Sequence, residues 1–318
     1  MSMGARGSER VHVRAPGKLN LFFEVGDVQP DGYHDVASVY QAVSAYEDVW
    51  ATVADDFSIE VAGDVDVSGV PRDDTNLAVR AARLVSERIG WDAGIHLEVH
   101  KAVPVAGGMG GGSADAAAAL VAVNELLDGR LTTLELQELG TRLGADVPFA
   151  VLGGTAIGTG RGDELAPALV RGRFDWVLVT SETGLSTPEV YGELDRLRAL
   201  PDIAPAHGAP RVDPAVLQAL RAADPAGLAA SVRNDLHAAA LSLRPDLADV
   251  RQAGLDAGAL AGIVSGSGPT VAFLAADERA GDDLAAALAA ALAGPGSTSG
   301  ARVLHVHGPV PGARIVAR

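Results

Sequence analysis

The chain has 318 residues, of which 48% are hydrophobic and only 4% aromatic, and its formal net charge is −16. This length favours one large or two medium domains, with a core built mainly from alanine, valine and leucine. The negative charge argues against nucleic-acid binding, and the absence of cysteine excludes disulfides and thiol chemistry. Residues 1–10 lack the apolar core of a signal peptide, so a soluble cytoplasmic protein that binds no membrane is expected.

The first elements in chain order are predicted to be strands. Residues 11–25 read as two strands broken at Pro16 and Gly17. Lys18 and Asn20 share one side of the second strand, because strand side chains alternate, and they face either solvent or a site. Further strands are predicted over residues 40–43, 49–53 and 57–61.

An aromatic residue and an imidazole follow an early turn. The turn is formed by Asp31 and Gly32, and Tyr33 and His34 come directly after it. Such a pair can stack on a nucleotide base and hydrogen-bond to its edge. The alternative is that both residues simply pack within a hairpin.

Lysine usage is selective in this chain. Of the 25 lysine and arginine residues only Lys18 and Lys101 are lysines. A lysine kept against such a bias indicates a need for a compact ammonium group on a flexible stem, although chance is the alternative. Lys101 follows a helix predicted from an N-cap at Thr75 to Ile89 and a strand over residues 95–99.

A glycine-rich loop opens a helix in the middle of the chain. Residues 107–112 contain five glycines, and Ser113 and an alanine-rich helical stripe follow at once. Glycine lets backbone N–H groups converge, and a helix start carries unpaired N–H groups and partial positive charge, which together suit a phosphate chain. The loop lacks the lysine of a Walker motif and has Ser113 where the dinucleotide fingerprint needs glycine. The alternative is a flexible surface loop.

A single aspartate among apolar neighbours follows the next helix. Thr132 and Glu135 form a predicted capping box, and Gly144 is expected to end that helix. Asp146 lies two residues before Pro148 and is expected in extended backbone. It is a candidate functional carboxylate, and the alternative is a turn or cap residue.

The second half of the chain has a different composition, and we divide the chain into residues 1–168 and residues 169–318. Its predicted elements are a strand over 176–180, a helix opening at Ser186-Thr187-Pro188, a loop over 200–214, alanine-rich helices to about 261, and closing strands over 303–306 and 313–317. Ser265-Gly-Ser-Gly268 joins two further β segments, and this turn either supports the first glycine loop or binds anions itself.

Three segments together resemble the motifs of the GHMP kinase superfamily. Residues 104–114 resemble its central ATP motif, Pro-x-x-x-Gly-Leu-Gly-Gly-Gly-Ser, with Met109 in place of leucine, a swap of similar volume. Ala15-Pro-Gly-Lys18 resembles the first motif and Ile263–Thr270 the third. The resemblance spans the chain after Arg10. It implies a two-domain α+β fold, with a ribosomal-protein-S5-like N-terminal ATP-binding domain and a ferredoxin-like C-terminal substrate domain.

Other segments favour one branch of that superfamily. They are Lys18–Leu21 with Asp31–His34, Gly144–Phe149, and Ser186–Tyr191. They are similar to the corresponding segments of one branch. The enzymes of that branch phosphorylate the 2-hydroxyl of a cytidine diphosphate-linked methylerythritol in non-mevalonate isoprenoid synthesis. Galactokinases and mevalonate kinases fit poorly, because Phe23-Glu24-Val25 replaces their glutamate-histidine element. Homoserine kinase and a non-catalytic ATP-binding regulator are the alternatives.

The resemblance implies ATP and Mg²⁺ as cofactors and a monomer or homodimer. Asp146 would take the hydroxyl proton, and Lys18 would stabilise negative charge on Asp146 and on the moving phosphoryl group. Ser113 would contact a phosphate oxygen or Mg²⁺. The implied ATP-binding residues are Pro104, Val105, Ala106, Gly107, Gly108, Met109, Gly110, Gly111, Gly112, Ser113 and Ala114, with Asn76 and Lys101 on the adenosine side.

The acceptor site is also implied by the resemblance. Asn20 would position the acceptor, His34 would read the cytosine edge, and Thr187 would lie near the same nucleotide. Tyr33 and Tyr191 would sandwich the base.

Overall fold

The computed structural model describes residues 10–181, 183–200, 209–293 and 301–318. Residues 1–9 and most of the loop predicted over 200–214 lie outside these ranges. The strands are β1 (Arg10–Val28), β2 (His34–Ala54), β3 (Ser58–Gly63), β4 (Gly94–Lys101), β5 (Thr155–Thr159), β6 (Glu164–Pro167), β7 (Phe174–Val179), β8 (Arg233–Asn234), β9 (Ala261–Val264), β10 (Val271–Leu274), β11 (Val303–Gly308) and β12 (Arg314–Ala317). The helices are α1 (Leu77–Ile89), α2 (Gly111–Leu126), α3 (Thr133–Thr141), α4 (Val147–Leu152), α5 (Thr187–Arg198), α6 (Pro214–Ala222), α7 (Pro225–Ala229), α8 (His237–Leu243), α9 (Asp246–Asp256) and α10 (Glu278–Leu292).

Two long antiparallel strands organise the larger sheet. Its order is β12-β1-β2-β4-β3, and β5 and β8 add to β2 and β1. Helices α1 and α2 cover one face, where fully buried alanines such as Ala116, Ala118 and Ala122 share a core with Val49 and Leu97. Because alanine side chains are short, α2 lies close to the sheet, and its first turn comes near the side chains of β1 and β2.

The predicted break at Pro16 and Gly17 is wrong. Strand β1 runs through both residues, and the register with β2 shifts between them, with Pro16 opposite Tyr46 and Gly17 opposite Val43. A bulge of this kind absorbs a proline without ending a strand. The strands predicted over 40–43 and 49–53 are likewise parts of one strand, β2.

Two local predictions about helix starts also need correction. Helix α1 is capped by Asn76, whose Oδ1 accepts from the N–H of Ala78 at 2.8 Å, whereas Thr75 bonds to Asp73. Asp146 is not extended but lies in the helical region at the start of α4, with φ −82° and ψ −13°. The N–H groups in the first turn of a helix have no partner within the helix, so a proline there loses no hydrogen bond. Pro148 therefore lies in the first turn of α4 instead of keeping the chain extended.

The ends of α3 and α5 are close to the predictions. The capping box of Thr132 and Glu135 is confirmed, although α3 ends at Thr141, before Gly144. Ser186 is the N-cap of α5, and Pro188 lies in its first turn.

The smaller sheet packs against the larger one. Its order is β11-β7-β10-β9, and one buried cluster joins Leu19 and Leu21 of β1 to Trp176 and Leu178 of β7. The last strand, β12, returns to pair with β1. The predicted two-domain α+β organisation is confirmed, while the boundary at residue 168 stays a prediction. Within the described residues, no helix combines the length and apolar character needed to cross a bilayer.

Candidate active site

A cavity of about 620 Å³ brings most of the predicted site residues together. Its lining includes Lys18, Asn20, Ser113, Asp146, Thr187, Tyr191 and most of the glycine loop. Val105 faces a neighbouring cavity, and Met109 and Ala114 are fully buried behind the loop. Residues from β1, α2, α4 and α5, which are far apart in the chain, therefore meet in one cleft.

Lys18 is held by several contacts at the centre of this cleft. Its Nζ lies 3.5 Å from Asp146 Oδ2 and donates to Asn20 Oδ1 at 2.7 Å. Asn20 in turn donates to Ser38 Oγ at 2.8 Å. The backbone N–H of Lys18 donates to the carbonyl of Met109 at 2.9 Å, which joins β1 to the glycine loop. Lys18 and Asn20 are buried and face the site, so the alternative that they face solvent is wrong.

The carboxylate of Asp146 is available to the cleft. Asp146 occupies the N-cap position of α4, but its side chain caps no backbone N–H group. Its oxygen contacts Lys18, and 30% of the side chain is exposed to the cavity and solvent. A carboxylate beside an ammonium group, with an open side, is suited to accept a proton from a bound hydroxyl group.

Tyr40 is a lining residue that the sequence pattern did not reveal. Its ring centroid lies 5.6 Å from Lys18 Nζ, which places the ammonium near an aromatic face. Burial, and then the nearby Asp146, raise the pKa of Tyr40 well above its usual value, so the phenol stays neutral. In the sequence nothing distinguishes Tyr40 from the apolar residues beside it in the strand.

The glycine loop is firmly packed rather than flexible. Gly108 and Gly110 have φ of +76° and +71°, where glycine is favoured. A Cβ on Gly108 would lie 2.1 Å from the carbonyl oxygen of Ser265, and Ser265 Oγ donates to the carbonyl of Gly108 at 3.1 Å. Of the two alternatives for the Ser265–Gly268 turn, these contacts show the first, support for the glycine loop.

Helix α2 starts at the cavity wall. Its first three residues, Gly111, Gly112 and Ser113, line the cavity, and the N–H groups of a first helical turn have no partner inside the helix. These donors and the helix dipole together favour an anionic group at this wall.

Asn234 is a second residue that sequence reasoning missed. Its Nδ2 donates to the carbonyls of Val264 and Gly266 at 2.8 and 2.7 Å, and its Oδ1 accepts from the N–H of Leu236. These bonds fix the third motif beneath the glycine loop. An asparagine in an alanine-rich helical region gave no signal for this role.

The predicted base-binding residues are only partly assembled. The rings of His34 and Tyr191 lie 5.1 Å apart, and His34 Nε2 lies 2.9 Å from Asp195 Oδ1. Tyr33 is 57% exposed, and the Arg161 guanidinium lies 4.0 Å from its ring centroid. Arg161 and Tyr191 both line the cleft, and the sandwich of a base between Tyr33 and Tyr191 stays a prediction. Thr187 Oγ1 lies 3.0 Å from Ser267 Oγ, which links α5 to the third motif.

Comparisons with known proteins show which family the chain belongs to. Residues 76–154 match the family model of the GHMP kinases N terminal domain, and residues 216–294 match that of the GHMP kinases C terminal domain. A Clavibacter michiganensis subsp. michiganensis protein named 4-diphosphocytidyl-2-C-methyl-D-erythritol kinase is 57% identical over 99% of each chain. The chain belongs to the GHMP kinase family.

Solved structures confirm the GHMP kinase fold. A crystal structure of 4-(cytidine 5'-diphospho)-2C-methyl-D-erythritol kinase is 28% identical, with a TM-score of 0.70 over 93% of this chain and 99% of that one. Homoserine kinase from Cytophaga hutchinsonii gives a TM-score of 0.75 over 99% and 100%, but only 19% identity. The second similarity shows the fold alone, so the overall fold does not separate the two acceptors.

On the implied adenosine side of this GHMP kinase, the side chains of Asn76 and Lys101 already bond to other groups of the protein. Asn76 and Lys101 line a second cavity of about 340 Å³. Asn76 caps α1 and donates to the carbonyl of Pro71 at 2.7 Å. Lys101 Nζ lies between the buried carboxylates of Glu47 and Asp115, at 2.6 Å from Asp115 Oδ2. Both residues shape this cavity, and their nucleotide contacts stay a prediction.

The buried triad of Lys101, Glu47 and Asp115 anchors the base of the glycine loop. Glu47 lies on β2, Lys101 ends β4 and Asp115 lies in the second turn of α2. Burial, and then Asp115, raise the pKa of Glu47 to about 8. Burial also raises the pKa of Asp115. Burial alone would lower the pKa of Lys101, but the nearby Asp115 and Glu47 raise it above the ordinary value of 10.5. Lys101 therefore affects the pH dependence of stability only above pH 10.5.

This triad predicts a pH-dependent stability. Between the ordinary Glu47 pKa of 4.5 and about 8 the folded protein holds a proton that the unfolded chain has lost. The free energy of unfolding therefore falls as pH rises through this window. We expect the fall to be shallower in Glu47→Gln, measured by urea unfolding at several pH values across the window. Glu60→Gln, at an exposed site on β3, is the control, and an unchanged slope in Glu47→Gln would contradict the prediction.

Proposed function

We propose that this GHMP kinase phosphorylates the 2-hydroxyl of 4-diphosphocytidyl-2-C-methyl-D-erythritol with ATP, a step in making isoprenoid precursors without mevalonate. The observation that carries the proposal is the contact between Lys18 and Asp146 beside the glycine loop. The 57% identical relative that bears this activity in its name supports the choice of acceptor.

Phosphoryl transfer needs alignment and charge stabilisation, together with one group that takes the hydroxyl proton. In our proposal Asp146 accepts that proton, because its carboxylate is open to the cavity. Lys18 stabilises the carboxylate and the negative charge on the transferred group. Asn20, fixed by Lys18 and Ser38, orients the acceptor hydroxyl. The acceptor lies between these groups and the first turn of α2.

The phosphate side of the site fits ATP with a magnesium ion. The N–H groups at the start of α2 would hold the phosphate chain. Among the residues that the structure describes, no cluster of three or more acidic, histidine or cysteine side chains could hold a metal ion. Mg²⁺ commonly binds through substrate phosphates with one or two protein ligands. Ser113, which lines the cavity in the first turn of α2, would supply one of them. When bound, the ion would neutralise charge on the phosphates.

An acceptor panel tests the proposal. Release of ADP from Mg-ATP would be measured with 4-diphosphocytidyl-2-C-methyl-D-erythritol, homoserine, mevalonate and galactose. We expect turnover with the cytidine compound alone. Turnover with homoserine instead would refute the proposed acceptor, and ATP binding without turnover on any acceptor would favour a regulatory protein.

His34→Ala is expected to affect acceptor binding selectively. The ring of His34 packs against Tyr191, which lines the cleft, and in the proposed site His34 contacts the cytosine rather than ATP. Loss of one hydrogen bond and one ring contact should raise the KM for the cytidine acceptor by about tenfold or more, with little change in the KM for ATP. His96→Ala, on β4, is the matched control. Equal changes in both KM values would count against the assignment.

A further inference from the structure

We infer that Asp195 sets the nucleobase specificity of the acceptor site by fixing the tautomer of His34. This inference rests on the proposed function and deepens it. A carboxylate that holds the Nε2–H group of His34 leaves Nδ1 as a hydrogen-bond acceptor. An acceptor at this place selects a base with an amino group, such as cytosine, over uracil, which has a carbonyl group there.

The contact between the two side chains fixes which ring nitrogen carries a proton. His34 Nε2 lies 2.9 Å from Asp195 Oδ1. A carboxylate offers only acceptor atoms, so the proton of this hydrogen bond belongs to Nε2. In a neutral imidazole the other nitrogen is then an acceptor. Nδ1 of His34 has no hydrogen-bond partner in the described part of the chain, and in our proposal it accepts from the ligand.

The surrounding packing holds this arrangement in place. Tyr191 and Asp195 are one helical turn apart on α5, so both side chains reach the same imidazole. The ring of Tyr191 lies 5.1 Å from that of His34 at an interplanar angle of 38°, and Tyr191 lines the cleft. Val190 and Leu194 anchor α5 on β1 and β2 through one buried cluster. His34 is only 8% exposed, and its ring has little freedom to turn.

The chemistry of the two pyrimidines makes the consequence specific. Cytosine carries an amino donor at C4, whereas uracil carries a carbonyl acceptor at the same position. A neutral His34 with Nδ1 as acceptor pairs with the amino group. The same nitrogen would face the uracil carbonyl as a second acceptor, which leaves both groups without a donor and costs binding free energy. Without Asp195 the proton of the imidazole is free to move to Nδ1, which would then donate to the carbonyl group of uracil.

Steady-state kinetics with a matched pair of acceptors tests this inference. The cytidine acceptor and its uridine counterpart would be compared with wild-type protein, Asp195→Ala and Asp195→Asn. Glu189→Gln, which removes an exposed charge from the same helix, is the control. In Asp195→Ala we expect the cytidine-to-uridine ratio of kcat/KM to fall by about tenfold, mainly through KM and with the KM for ATP unchanged. Asp195→Asn should keep more of the ratio, because its amide oxygen can still accept from Nε2–H.

The outcomes separate this inference from the proposed function. If the wild-type protein turns over neither nucleotide, the proposed function and this inference both fail. If the wild-type protein prefers cytidine and Asp195→Ala discriminates equally well, or loses both acceptors to the same degree, only the role of Asp195 is refuted. Nitrogen-15 NMR of His34 in the wild-type protein needs no variant. A neutral ring with its proton on Nε2 supports the inference, and a proton on Nδ1 overturns it.

Discussion

Asp146→Asn is expected to lower kcat by about 10²–10³, which is the size of effect seen when one proton acceptor or one preorganised stabilising group is lost. The asparagine keeps the shape of the side chain but cannot take a proton from the acceptor hydroxyl. The KM values for ATP and acceptor should change little, because Asp146 contacts Lys18 and makes no hydrogen bond that supports the glycine loop within the described residues. Steady-state ADP release measures all three parameters.

A matched variant keeps this experiment interpretable. Asp92→Asn changes an exposed aspartate in the loop before β4 and should behave as wild type. If Asp146→Asn turns over at the wild-type rate, Asp146 is not the proton acceptor. If its kcat falls only together with ATP binding, the residue shapes the phosphate site instead.

Lys18→Met should lower kcat to a similar extent, by about 10²–10³, because it removes the only ammonium group that the described residues place in the main cleft. Methionine fills most of the volume of the lysine stem, so the fold should be retained. The variant also frees Asn20, whose Oδ1 accepts from Lys18 at 2.7 Å. The KM for the acceptor should therefore rise as well.

Arginine should not rescue activity at this position. The side chain of Lys18 passes between the backbones of Gly110 and Gly266. A Cβ on Gly110 would lie 3.3 Å from Lys18 Cγ, and a Cβ on Gly266 would lie 3.3 Å from Lys18 Nζ. A planar guanidinium is wider than an ammonium and does not fit this space without displacing a glycine segment. Wild-type turnover by Lys18→Arg would contradict this geometry.

The double variant that combines Lys18→Met with Asp146→Asn should have a kcat little lower than that of either single variant, because the two residues act together.

The local features of the site could be predicted from the sequence. The five glycines before Ser113 indicated a phosphate loop that opens a helix, and the structure shows a packed loop at the start of α2. The capping box of Thr132 and Glu135 was likewise evident, because it depends on residues only three apart. Such features are set by nearby residues and backbone geometry, which a single sequence displays.

Long-range contacts could not be predicted in the same way. Lys18 and Asp146 meet only because α4 packs beside β1 and α2, which no local pattern specifies. Tyr40 and Asn234 were missed because a tyrosine in a strand and an asparagine between helices are common in cores and turns. Asp195 was missed because an acidic residue on a helix normally indicates a solvated face. Only the tertiary contact with His34 distinguishes it.

Phosphorus-31 NMR of the product tests the central claim most directly. Wild-type protein would be incubated with Mg-ATP and 4-diphosphocytidyl-2-C-methyl-D-erythritol labelled with carbon-13 at C2. If Lys18 and Asp146 act as proposed, we expect one new phosphomonoester signal coupled to that carbon, in step with ADP formation. Formation of ADP with inorganic phosphate alone, or of a phosphomonoester on another hydroxyl, would contradict it.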